Sequence, residues 1–210
     1  MKTLPLLLTT LAFALHSPFC LAEKGADLKP LSAKPGKVLF EDNFEGGALG
    51  KQWAVNKGEW AIKDGAVAGS SKKEENHAGV FFLNLPNHNA IIRFSFQIVD
   101  GKGFGLSYNS AAGHLFRVLV TPEGFTVDKD RDKKDEKSKN EALAEAKGKI
   151  EPGQWHTMMV EVQGGKVTVQ TDTGLKADIS NSALDVDKTG FRFVTATSVL
   201  LDDVKVWAVE

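Results

Sequence analysis

The chain predicts an all-β fold, an antiparallel β-sandwich, on three observations. Short stretches alternate apolar and polar residues with the period of a half-buried strand. Gly-rich turns separate them, and no long stretch repeats apolar residues at helical spacing.

Residues 91–130 carry the alternation most clearly. Ile92, Phe94, Phe96 and Ile98 share one strand face, and Arg93, Ser95 and Gln97 the other. After a Gly-rich turn, Phe104, Leu106 and Tyr108 form an apolar row, with Ser107 and Asn109 opposite. Phe116, Val118 and Val120 repeat it, with Arg117 pointing away between Leu115 and Leu119. Phe125 and Val127 follow, with Thr126, Asp128 and Asp130 opposite. Read together, four consecutive strands bury one aromatic-rich face and present polar groups on the other, as antiparallel sheets do. That polar face is either plain solvated surface or the floor of a binding groove.

The remaining elements follow in order. A first strand starts near Lys37, with Val38 and Phe40 alternating against Leu39 and Glu41, and Gly46–Gly47 ends it. Short strands at 53–55 and 59–62 flank Lys57–Gly58, and Asp64–Gly65 signals a tight turn before Val67. A polar loop, 69–76, leads to an apolar run that stops at Pro86. Residues 128–141 are almost all charged with both signs mixed, which reads as a solvated loop or as one that overhangs the polar face. Residues 142–147 fit one helical turn or a ragged strand. A strand after Trp155, a hairpin at Gly164–Gly165 and strands at 175–179, 191–193 and 199–209 complete the chain. No internal repeat of fixed period is visible, which argues against a propeller or solenoid.

The start of the chain sets the compartment. Lys2, an apolar run over 6–15 and small Ala22 before Glu23 describe a signal peptide over 1–22, cleaved near Ala22, and so an exported protein, periplasmic or extracellular. The run is too short to span a bilayer. Cys20 lacks the small-residue pattern that lipidation there would need. Residues 23–36, rich in Lys, Ala and Pro, read as a flexible or extended leader, and 37–210 as one sandwich domain. Cleavage removes the single Cys, which leaves no disulfide and no Cys-based metal site or nucleophile. With 26 basic against 27 acidic residues, charge gives no case for nucleic acid or an anionic membrane as partner.

Three stretches carry a family resemblance: FEDNFEGGALGKQWAVNKGEWAIKDGAVAG, PGQWHTMMVEVQGGKVTVQTD and SVLLDDVKVWAVE. Together the chain resembles secreted bacterial domains of the 3-keto-disaccharide hydrolase-like group, which have the concanavalin A-like lectin and glucanase fold. The resemblance covers most of 37–210, and its motifs are turn glycines, core tryptophans and a terminal strand. It implies a jelly roll of two curved sheets with a saccharide handled on the concave one, by binding or by glycoside hydrolysis. A lectin-like binding module and an envelope structural or protein-interaction domain are the alternatives.

Under that resemblance Arg93, Gln97, Asn109 and Arg117 are the candidate floor of the groove, because planar guanidinium and amide groups offer donors and acceptors to sugar hydroxyls. Hydrolysis needs an acid and a base or nucleophile flanking the bond. The Glu-x-Asp-x-Glu triplet of family 16 glucanases is absent, and Asp128 and Asp130 are the nearest carboxylate pair. No required cofactor is indicated, and no HxH or HExxH spacing supports zinc. Asp202 shares parity with Leu200, Val204 and Val206, which aims it inward. Carbonyls and Asp42 or Glu45 could join it around a structural calcium, or a bulge at Asp202–Asp203 could turn the carboxylates to solvent. Of Trp53, Trp60, Trp155 and Trp207, at least three are expected to be buried.

Overall fold

The computed structural model describes residues 27–210. The signal peptide read over 1–22, with Cys20, lies outside the described residues, as does the start of the leader. Fifteen strands follow: β1 (Pro35–Asp42), β2 (Trp53–Lys57), β3 (Glu59–Lys63), β4 (Ala66–Ser70), β5 (Gly79–Leu83), β6 (Ala90–Ile98), β7 (Phe104–Ser110), β8 (Gly113–Thr121), β9 (Gly124–Lys129), β10 (Glu141–Lys147), β11 (His156–Gln163), β12 (Lys166–Thr171), β13 (Lys176–Ser180), β14 (Gly190–Thr195) and β15 (Ser198–Val209). The segment 142–147 belongs to a strand, not a helical turn. Among the described residues, no helix is long and apolar enough to cross a membrane.

The strands form two antiparallel sheets. The eight-stranded sheet runs β13-β12-β11-β6-β15-β4-β3, with β1 pairing the second half of β15. The seven-stranded sheet runs β10-β9-β8-β7-β14-β5-β2. The predicted sandwich is therefore the observed fold.

The alternation places the core between the sheets as expected. Phe94, Phe96, Leu106, Phe116, Val118, Val127, Phe191 and Phe193 are all fully buried. Each such side chain contributes roughly 1.5–3 kcal/mol by leaving water. The sheets meet through edge-to-face rings: Phe94 lies 5.1 Å from Phe193 at 82°. At one end Phe81 is sandwiched between two indoles, 4.4 Å from Trp53 and 5.1 Å from Trp60, both nearly parallel. Trp53 and Trp60 are buried, whereas Trp155 and Trp207 are only half-buried, so two tryptophans rather than three belong to the core.

One expectation fails at the centre of the chain. β6 does not lie beside β7; it joins the eight-stranded sheet, between β11 and β15. The five residues after Ile98 cross to the other sheet. Gly103 makes the crossing possible: its φ is +92°, and a Cβ there would come within 1.9 Å of the Val120 carbonyl oxygen. Only β7, β8 and β9 of the four strands share a sheet.

Candidate functional site

A sandwich has two outer faces, and this chain treats them differently. The outer face of the eight-stranded sheet is covered by its own N-terminal segment, 27–34. Glu161 on β11 is buried, and its carboxylate accepts the N–H groups of Leu31, Ser32 and Ala33 at 2.8–2.9 Å and the Ser32 hydroxyl at 3.0 Å. Gln170 donates to the Lys29 carbonyl at 2.7 Å. Leu28 and Ala33 close a small apolar cluster with Ile91, Met159, Trp207 and Val209. The described part of the leader, 27–34, lies against the sheet, where Glu161, Gln170 and an apolar patch receive it.

The outer face of the seven-stranded sheet is open. Residues directly opposite in antiparallel strands share a face. The register strings one row across all seven strands: Ala54, Phe82, Arg192, Ser107, Arg117, Asp128 and Ala142. Two guanidiniums stand in this row on either side of Ser107, about 10 Å apart at the backbone because two strand spacings separate them. They are held differently. Arg117 is ion-paired to Asp130, which leaves β9 with its N–H on the Leu115 carbonyl at 2.9 Å. Arg192 instead lies with its guanidinium 5.1 Å from the centre of the Phe82 ring.

Two cavities open over this row, and a third adjoins them at His114. One of about 780 Å³ is walled by Asn109, His114, Lys133, Lys188, Arg192 and Phe82, among others. A second of about 180 Å³ lies against His114, Leu115, Asp130 and residues 131–133 of the charged loop. The third, about 330 Å³, contains Asn56, His77, Ser107, Arg117, Asp130 and Arg192. His114 lines all three. Residues 130–140 are shaped by local side-chain bonds, with Asp132 capping Lys134 N–H and Asp135 capping Lys137 N–H, each at 2.9 Å. Residues 130–133 border the open face, while 131–140 are almost all exposed, so the loop is solvated as well. Two polar atoms in this region, Asn109 Oδ1 and Arg117 Nε, are buried without a hydrogen-bond partner among the described residues.

The four predicted floor residues divide between the two faces. Asn109 and Arg117 are on the open face. Arg93 and Gln97 are on the covered one: Arg93 pairs with Asp27 and lies 5.9 Å from the Trp207 ring, and Gln97 donates to the Gly153 carbonyl at 2.6 Å. The reason is the crossing after β6, which turns its polar side toward the opposite outside of the sandwich. Asp128 and Asp130 both reach the Arg117 neighbourhood, Asp128 as its cross-strand neighbour and Asp130 as its ion-pair partner. Asp128 also accepts the Thr126 hydroxyl at 3.1 Å.

The calcium trio does not assemble: among the described residues no group of three or more His, Cys, Asp or Glu is placed to hold a metal ion. Asp42 accepts the Trp53 indole N–H and the Phe44 N–H, each at 2.9 Å. Glu45 lies against the Gly65 turn. Asp202 is fully buried, but not in the inter-sheet core. It pairs with Ser95 while its neighbour Leu201 pairs with Phe96, so it shares the outer side of Ser95. The bulge between Asp202 and Lys205, where Asp203 has φ +47°, resets the parity that made Asp202 look inward.

Arg192 and Phe82 were not singled out from sequence. Arg192 stands between Phe191 and Phe193, the same alternation that marks Arg117, and was legible in that pattern. Phe82 is hidden in the continuous run Val80–Leu83, where an outward aromatic looks like another core residue.

No protein-family model matches the chain, and no curated protein matches it. Solved structures do. The carbohydrate-binding module CBM66 from Bacillus subtilis superposes with a TM-score of 0.61 at 16% identity, covering 75% of this chain and 96% of its own. SCLam, a non-specific endo-β-1,3(4)-glucanase of family GH16, gives 0.59 at 11% identity, covering 85% and 95%. LamAcat from Zobellia galactanivorans gives 0.59 at 11% identity, covering 81% and 97%. The fold is the jelly-roll sandwich of these domains.

Proposed function

We propose that this is an exported domain that binds a saccharide on the open face of the seven-stranded sheet. The observation that carries the reading is the cross-strand row Phe82, Arg192, Ser107, Arg117 and Asp128, whose first four members line two neighbouring cavities. It combines an aromatic surface, forked donors and a hydroxyl, which is what sugar rings and their hydroxyls require. Segment 27–34 occupies the middle of the opposite outer face. Neighbours of this fold include one named a carbohydrate-binding module and one named a glucanase, which supports a saccharide as ligand. Export rests on Lys2, the apolar run and Ala22.

Binding is favoured over hydrolysis by the state of the carboxylates. Asp130 is tied to Arg117 and Asp128 to Thr126, so neither stands unengaged as an acid or base beside a bond. Hydrolysis of a 3-keto-disaccharide, which the three sequence stretches suggest, would use this same pair.

A glycan array followed by calorimetric titration tests both readings. Binding of an oligosaccharide that falls about tenfold or more in Arg117→Ala, with the fold intact, supports the groove. Turnover of 3-keto-glycosides lost in Asp130→Asn would assign the hydrolase instead. Undiminished binding in Arg117→Ala would remove the ligand from this face.

A further inference from the structure

We propose that the cavity of about 780 Å³ takes the oxyanion substituent, carboxylate or sulfate, of an acidic saccharide, and that Arg192 receives it. The proposal rests on the groove reading above and deepens it by naming the saccharide class.

The two arginines of the row differ in what already neutralises them. Arg117 has Asp130. Among the described residues, no carboxylate forms an ion pair with Arg192, and its guanidinium carbon lies 5.1 Å from the centre of the Phe82 ring. A guanidinium carries five N–H donors in one plane, more than one ring contact can engage. Donors are therefore left for a ligand. A forked pair of N–H groups fits the two oxygens of a carboxylate or sulfate better than it fits single hydroxyls.

The rest of the wall carries two further cationic residues and one acidic one. Lys188 is 1% exposed, and its amine donates at 2.8 Å to a neutral partner, the His88 carbonyl oxygen. Its pKa is lowered overall by burial, which Asp185 and Asp187 nearby only partly offset. Lys133 reaches the cavity from the charged loop, and His114 lines its other side. Asp187 is the acidic residue of the wall, and one of its oxygens is engaged by His88 Nδ1 at 2.7 Å. The near-neutral charge of the whole chain conceals this local excess of cations over one face.

The test is calorimetric titration of the exported chain with three probes: trigalacturonate, a sulfated galactan oligosaccharide and neutral laminaritriose. Binding of either acidic probe is expected to exceed that of the neutral one and to weaken between about 0.05 and 0.5 M salt. Arg192→Gln should reduce it about tenfold or more, with Arg192→Lys intermediate because charge survives without the fork. The two acidic arms tell carboxylate from sulfate. Melting curves check that both variants fold. Equal binding of neutral and acidic probes, or an unaffected Arg192→Gln, would overturn the proposal and leave the groove standing. Binding of free sulfate as tight as that of the sulfated sugar would also overturn it. Failure to bind any saccharide would sink the groove reading itself, and this proposal with it.

Discussion

Glu161 and Ser32 stand 129 positions apart, yet one carboxylate oxygen accepts both the N–H and the hydroxyl of Ser32, at 2.9 and 3.0 Å. The same oxygen takes Ala33 N–H, and its twin takes Leu31 N–H. Without this side chain three backbone donors would lose their acceptor beneath a covered surface. Glu161→Ala should therefore cost about 3 kcal/mol or more, since bonds to charged groups contribute roughly 1.5–3 kcal/mol each and do not add fully. Glu161→Gln should fall between, because its amide nitrogen turns one acceptor into a donor facing donors. Denaturant unfolding measures both. Saccharide binding to the folded protein should be unchanged, as the contact is on the other sheet.

How much of this was legible in sequence follows from what alternation can say. It states which residues of one strand share a face, and the core rows of β6 to β9 and β14 obey it. It does not state which sheet a strand joins. β6 pairs with β11 and β15, partners distant in the chain, and the short link to β7 gave no local sign of a change of sheet. That single crossing separated Arg93 and Gln97 from Asn109 and Arg117. At Asp202 a one-residue bulge undid the parity. The docking of segment 27–34 was invisible because its stabilising partners are Glu161 and Gln170, more than a hundred residues away, and its own composition resembles a linker.

Phe81 holds the stack of Trp53 and Trp60. Phe81→Ala should cost about 4 kcal/mol, within the range for deleting a buried phenyl ring. The two indoles would lose their common neighbour, so the folded protein's tryptophan emission should shift as well. A loss under about 1 kcal/mol, with unchanged emission, would show that the indoles repack across the gap.

Arg117 and Asp130 join across the open face, with side chains 36% and 11% exposed. The pair is part-buried, and Asp130→Asn, which keeps the shape and one acceptor oxygen, should change the unfolding free energy by only about 1 kcal/mol. Its effect belongs to the site: Arg117 would lose its counter-charge and gain freedom to move. Affinity for the ligand that Arg117 touches should therefore change while the melting temperature stays nearly constant. Parallel titration and melting of the one variant separate the two effects.

His156 makes stability depend on pH. Its Nδ1 faces Asp172 at 3.3 Å and its Nε2 the Glu151 carbonyl oxygen at 3.1 Å. The bond to Asp172 raises its pKa above the ordinary 6.5; burial opposes this, and the Glu151 carbonyl assists. A folded-state pKa above the unfolded one means the folded protein holds the proton more tightly. The stabilisation is then fully present below about pH 6.5 and is lost as pH rises through the folded-state value. Unfolding free energy should decline across that window, and His156→Gln should flatten the decline. His88 titrates in the same direction, raised by Asp187 and Asp185, so His88→Gln is the necessary companion. Its imidazole is more exposed than that of His156, which predicts the smaller change in slope. Denaturant melts of both variants at about pH 5.5 and 8.5 decide the matter: a slope that persists in His156→Gln and vanishes in His88→Gln would reverse the assignment.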